Sequence, residues 1–257
     1  MTKEPERTSP LPRDLRQMTD ARVLLGRFGA GMPTRAAQSF LLDHARARQA
    51  VWSSVDWASV EAGLNELGLG IIEVASKAGD RATYVRRPDL GRTLSAEVAE
   101  RLASMTPGCD VAIILADGLS ASAIDINAVP LTRAIVARLS ARQLSIAPIV
   151  LASQARVAIG DPIAAIIGAK VSVMIIGERP GLSAADSLGI YLTHSPAIGT
   201  PDSKRNCISN VRDGGLAIVD ATDLVVSLVV DMLKVGVSGV GLKAALDVLP
   251  CPDANGR

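Results

Sequence analysis

The spacing of apolar and polar positions changes partway along the chain and divides it in two. After Pro33, residues Ala37, Phe40, Leu41, His44, Ala45 and Arg48 recur at three- and four-residue steps, the period of a helix whose first turn tolerates proline. Phe40 and Leu41 mark the apolar side of that helix, and His44, one turn later, reads as a satisfied interior histidine. A second helix is predicted from an N-cap at Asp56 to a stop near Gly68, and a third from Ser95 to about Met105. Between these two, residues 79–92 are polar and carry Arg81, Arg86, Arg87, Pro88, Asp89 and Gly91. Few of them are the Ser and Gly of flexible linkers, so an ordered loop is expected.

Beyond Pro107 the pattern becomes one of short apolar runs, at 111–116, 146–152 and 171–176. Runs apolar on both faces suit strands buried within a parallel sheet. Helical stretches at about 122–141 and 161–169 separate them, giving βαβαβ spacing. Residues 190–193 offer a further strand, and 218–235 a late helix with Leu224, Val225, Leu228, Val229 and Met232 on one face. The expected fold is therefore α/β, a Rossmann-like parallel sheet domain preceded by a helical N-terminal part. Residues 1–20 are read as a flexible tail, 21–105 as the helical part and 106–257 as the sheet domain.

Composition narrows the partners. Lys and Arg number 27 against 26 for Asp and Glu, a net charge of +1, so charge favours neither nucleic acid nor a membrane surface. Aromatic residues are only 2% of the chain, which leaves few rings on which to stack bases. Cys109, Cys207 and Cys251 are odd in number and widely spaced, unlike a disulfide framework or a zinc site. The polar N-terminus resembles neither a secretory signal nor an anchor, and a soluble intracellular protein is expected.

In open α/β sheets ligands bind outside the carboxyl ends of the strands. Three such loops are predicted here: 117–120, 154–161 and 177–182. Gly118, Gly160, Gly177 and Gly181 would let backbone approach a ligand closely. Neither Gly-x-Gly-x-x-Gly after the first strand nor Gly-x-x-x-x-Gly-Lys occurs, so nucleotide readings lose their specific support. The residues alone leave two accounts open. The loops form a site for a large neutral ligand fringed with amides, or Asp117-Gly118 is an ordinary turn and Glu178-Arg179 a surface ion pair of little value.

Specific strings go further. Leu-Gly-Arg-Phe-Gly at 25–29, Leu-Asp-His-Ala at 42–45, Arg-Pro-Asp-Leu-Gly-Arg at 87–92 and Asp-Gly-Leu-Ser-Ala at 117–121 are followed by Arg-Val-Ala-Ile-Gly-Asp at 156–161. Gly-Glu-Arg-Pro-Gly-Leu at 177–182, Asp-Ser-Leu-Gly-Ile-Tyr-Leu-Thr at 186–193, Arg-Asn-Cys-Ile-Ser-Asn at 205–210 and Ser-Gly-Val at 238–240 complete the series. In this order, from about Thr19 to Lys243, they resemble the ethanolamine ammonia-lyase small-subunit family.

The resemblance implies a carbon–nitrogen lyase of ethanolamine catabolism, converting ethanolamine to acetaldehyde and ammonia by adenosylcobalamin-dependent radical chemistry. It implies a hetero-oligomer in which a large β/α-barrel subunit carries the substrate pocket and the catalytic groups. No catalytic residue and no metal ligand is then expected in this chain. Its family-matched cofactor contacts are Val157, Glu178 and Cys207. The chain lacks the Asp-x-His-x-x-Gly string by which another cobalamin class replaces the lower cobalt ligand with histidine. Departures from the family occur at Gln49-Ala50-Val51-Trp52, usually Asp-Ala-Val-His, at Asn127, usually histidine, and at His194, usually tyrosine. A cytoplasmic location follows, with a bacterial microcompartment as the family's alternative, although the short N-terminal extension carries no clear amphipathic helix. Rival readings are a cobalamin-binding or scaffold protein without lyase activity and, less supported, a nucleotide-binding Rossmann protein.

Overall fold

The computed structural model describes residues 31–104 and 108–247; the 25–29 string, the tail at 1–20, Met105 and Cys251 lie outside them. The first helix, α1 (Thr34–Trp52), begins after Pro33 as its period predicts, but buries only Ala50. Phe40, Leu41, Leu42 and Trp52 are exposed. His44 is exposed too, stacked on Phe40 at 6.1 Å between centroids, which corrects its reading as an interior histidine. The next helix, α2 (Trp57–Leu64), is capped by Asp56, whose carboxylate accepts the Ser59 amide, and it ends through a 3-10 turn at Gly68, φ 67°.

A strand the periodicity does not predict comes next, β1 (Ile71–Ala75), which holds Glu73 at its centre and buries only Val74. Then come α3 (Arg81–Arg86), a 3-10 turn at Leu90–Arg92 and α4 (Ala96–Ala103), so the polar 79–92 stretch is ordered and partly helical. After it run β2 (Cys109–Ala116), α5 (Ala121–Ala123), a π-helical segment (Ile124–Ala128) and α6 (Val129–Ser140). They are followed by β3 (Ile149–Ser153), α7 (Gly160–Ile167), β4 (Ala169–Gly177), β5 (Leu188–His194) and β6 (Asn206–Val211). Two helices close the described chain, α8 (Ile218–Val235) and α9 (Gly241–Asp247). None of its helices is long and apolar enough to cross a membrane.

The strands form one sheet in the order β1-β3-β2-β4-β5-β6, parallel through β4 and antiparallel at β4–β5 and β5–β6. Alternation along β2 shows how both faces are filled. Ile113 and Leu115 join Leu64, Leu131, Ile135, Val225 and Val229 on the face covered by α2, α6 and α8. Ala112, Ile114 and Ala116 join Leu102, Ile163 and Ile167 on the face covered by α4 and α7. Burying each such Leu or Ile contributes about 1.5–3 kcal/mol. Because β1 and α4 share this core, the segment read as a helical part is continuous with the sheet over these residues. The connection leaving β2 enters the first face and that leaving β3 enters the second. Adjacent strands whose connections diverge in this way open a crevice at their carboxyl ends.

Candidate functional site

The crevice loops are tied together before any ligand is considered. Asp117, at the end of β2, accepts the amides of Gln154 and Ala155 at 2.9 Å each and Arg81 Nη1 at 3.2 Å. Burial pushes this carboxyl above its ordinary value, and the two amides and the guanidinium oppose that rise. Beside it Gly118 has φ 54°, and a Cβ there would lie 2.1 Å from the Gly177 carbonyl oxygen. A Cβ on Gly177 would lie 2.2 Å from the Ser120 carbonyl oxygen. These two glycines serve the contact between loops, whereas a Cβ on Gly181 would meet only the Ala184 backbone at an ordinary 3.9 Å. The turn-forming account of Asp117-Gly118 is therefore correct, and the pair also fixes the rim of the crevice. The 79–92 stretch is latched to the same rim: the Tyr84 hydroxyl donates to the Ala155 carbonyl at 3.0 Å, and the Arg156 amide to that of Gly91 at 2.8 Å.

Two adjoining hollows run along the rim. One, of about 1040 Å³, is bounded by Val157 and Cys207 among others; its neighbour, of about 420 Å³, is bounded by Val157 and Glu178. Arg156, Val157 and Tyr191 line both, so all three expected contact positions lie along one groove. Val157 is half-buried and opens the 3-10 turn Val157–Ile159 that leads into α7. Glu178 forms no ion pair with Arg179; its Oε2 accepts the Ser187 hydroxyl at 2.5 Å and the Asn210 amide at 3.2 Å. Room for the carboxylate depends on Gly189, where a Cβ would stand 3.1 Å from Oε1.

Cys207 is exposed on β6 and pairs across the sheet with Tyr191 of β5. Desolvation raises its thiol above the ordinary value, and the Glu178 charge acts in the same direction. Tyr191 is pushed up to about 12, chiefly by burial. At neutral pH the groove thus presents a protonated thiol and a protonated phenol, neither poised as a base or nucleophile.

Sequence reasoning missed the pair that carries this groove. Arg205 donates to both carboxylate oxygens of Asp161, at 2.5 and 2.7 Å, with side chains only 4% and 2% exposed. It also donates to the Thr200 carbonyl at 2.7 Å. Asp161 follows Val157 by one helical turn and Arg205 precedes Cys207 by two residues, so the bidentate pair fixes two of the three positions relative to each other. Both residues stood in quoted strings, but nothing in either string joins them. The departures have simple settings: Asn127 is buried and donates to the Asp186 carbonyl at 2.9 Å, and His194 Nδ1 is 3.0 Å from the Ser195 hydroxyl.

Comparison with known proteins identifies the family. The family described as ethanolamine ammonia-lyase light chain (EutC) matches residues 11–243. The ethanolamine ammonia-lyase small subunit of Bradyrhizobium diazoefficiens is 49% identical over 232 residues, covering 90% of this chain and 89% of the relative. That of Rhodopseudomonas palustris is 45% identical, covering 92% and 93%, and that of Azotobacter vinelandii 46% identical, covering 91% and 88%. With matches of this extent, the chain belongs to the ethanolamine ammonia-lyase small-subunit, or light-chain, family.

Proposed function

We propose that this chain holds one side of adenosylcobalamin at its junction with a large, β/α-barrel catalytic subunit, and deaminates ethanolamine only within that complex. The observation that carries the reading is the placement of Val157, Glu178 and Cys207 along one groove, which runs from the carboxyl ends of β3 and β4 to the start of β6. The groove's chemistry fits the cofactor. Its larger hollow, about 1040 Å³, is at the upper end of small-molecule sites, which span roughly 300–1,000 Å³. Val157 offers aliphatic surface to a corrin edge, and Glu178 is an acceptor for the corrin's primary amides. Cys207, held as the thiol, sits close without competing for cobalt.

When bound, adenosylcobalamin supplies the radical that removes hydrogen from ethanolamine. The residues of this chain bind and orient the cofactor's rim and help to exclude water, while substrate is held mainly by the partner. The exposed outer surface of α1, with Phe40, Leu41 and Arg48, is the additional docking surface for the barrel. Labour is then divided between α1 within 21–105, for assembly, and the cofactor positions within 106–257. The family resemblance supports a cytoplasmic location, with a microcompartment as the alternative. Coexpressing the chain with the large subunit and assaying ethanolamine-dependent acetaldehyde with adenosylcobalamin tests the reading. Turnover by the pair is expected. A purified complex that binds no adenosylcobalamin would overturn it in favour of a scaffold protein.

A further inference from the structure

Arg81 lines neither hollow, yet its guanidinium reaches the segments that frame them. From the first residue of α3 it donates through Nε to the Val51 carbonyl at 2.6 Å. Through Nη1 it donates to Asp117 Oδ2 at 3.2 Å and to Gln154 Oε1 at 3.4 Å. Val51 lies in the last turn of α1, where helix carbonyls lack an intrahelical partner. Asp117 follows β2 and Gln154 follows β3, so one side chain, 12% exposed, joins three separate segments. Arg81 and Arg156 both lie over the buried Tyr84 ring, 4.7 and 4.3 Å from its centroid. Gly91 leaves room for this packing: a Cβ there would stand 2.9 Å from Arg156 Cγ and 3.1 Å from the Tyr84 ring.

The third of these segments starts from a strained residue. Gln154 has φ 52°, in the left-handed region that favours glycine. A residue bearing a Cβ persists there where its surroundings hold it. Three of its polar groups are held: its amide donates to Asp117 at 2.9 Å, its carbonyl accepts the Ser76 hydroxyl at 2.6 Å, and its side-chain oxygen accepts Arg81. Three residues further on stands Val157, shared by both hollows.

We infer that Arg81 is a positioning residue for the cofactor site: it holds Gln154 left-handed and thereby sets Val157 against the ligand, without touching the ligand itself. The inference rests on the cobalamin reading above. A lysine would also place a positive charge beside Asp117, but a single ammonium lacks the planar fork that bonds Val51, Asp117 and Gln154 together. Because Nε is taken by Val51, the helix that docks the large subunit also anchors this node.

The test uses the coexpressed complex, titrated calorimetrically with adenosylcobalamin well below its unfolding transition, where loss of fold does not enter the affinity. Arg81→Lys keeps the charge and should bind about tenfold more weakly, the order of the strain held in one left-handed residue. Arg81→Lys/Gln154→Gly should return to within about twofold of the unaltered complex, because glycine holds φ 52° without support. Gln154→Val, with Arg81 intact, should reproduce the loss, since a β-branched residue is a poor fit to that region. It carries the test if Arg81→Lys does not assemble. Unchanged affinity in either single variant, or a loss that the added Gln154→Gly does not restore, would overturn the inference and leave the cobalamin reading standing. If the unaltered complex bound no adenosylcobalamin, the functional reading would fail, and the positioning role with it.

Discussion

Glu178 is held by Ser187 and Asn210 through a single oxygen, Oε2, and this arrangement sets what its replacement should do. Glutamine keeps the size but brings a neutral acceptor and a donor in place of two charged acceptors. Glu178→Gln in the assembled complex should weaken adenosylcobalamin binding by about 1.5–3 kcal/mol, the value of a charge-assisted hydrogen bond, with assembly unchanged. Unaltered affinity by titration would reduce Glu178 to a residue that positions the 187–210 region. Asp117 predicts the opposite division. Asp117→Ala would strand two amides and the Arg81 guanidinium in the interior, and should cost about 3–5 kcal/mol in denaturant unfolding. At this scale the three contact positions were readable because they stand inside distinctive strings. Asp161 and Arg205 were readable as residues but not as a pair, since 44 positions separate them and only folding brings them together.

The central strands and the helices α6, α7 and α8 followed from their apolar patterns, the late helix with the expected bounds, Ile218–Val235, whereas α3, within the stretch read as a loop, and α9 did not. β1 and β6 did not, for a shared physical reason. They are the sheet's edges, half-exposed, and Glu73 or the polar Asn206, Ser209 and Asn210 interrupt any apolar run. Membership of β1 in the sheet also changes how docking must be tested, because cutting the chain before Val111 would strip β1, α2 and α4 from the core. Leu41→Glu on α1, at a side chain 63% exposed, should leave thermal unfolding of the chain unchanged and weaken its association with the large subunit. Sedimentation of the mixed subunits measures this. An unweakened complex would move the docking surface elsewhere.

At the other end of the strands, Asp110 accepts the amide and hydroxyl of Ser145 and the Lys170 ammonium. These bonds, led by that from Lys170, hold its carboxyl at about 2, below the ordinary 3.8. A lowered folded value means stability that is present above about 3.8 and lost as pH falls through about 2. Asp110→Asn should therefore flatten the loss of stability over that window, read from denaturant midpoints at a series of acidic pH values.

For the whole molecule, the described residues share one sheet and its two covered faces, and the cofactor site proposed on them needs the partner subunit. The family and the α/β class were legible in the sequence; the latches that turn three loops into one groove were not. The described groove presents no nucleophile–base pair, so the isolated chain with adenosylcobalamin should release no acetaldehyde from ethanolamine. Cofactor affinity tests the shared site more directly than turnover does. If the rim covers only one side of the cofactor as proposed, corrin surface would stay in water and amides unpaired until the partner closed over it. Calorimetric titration of adenosylcobalamin into the purified chain and into the assembled complex should therefore show weak binding in the first case and tight binding in the second. Equal affinity in both would contradict the shared-site account and identify an autonomous cobalamin carrier.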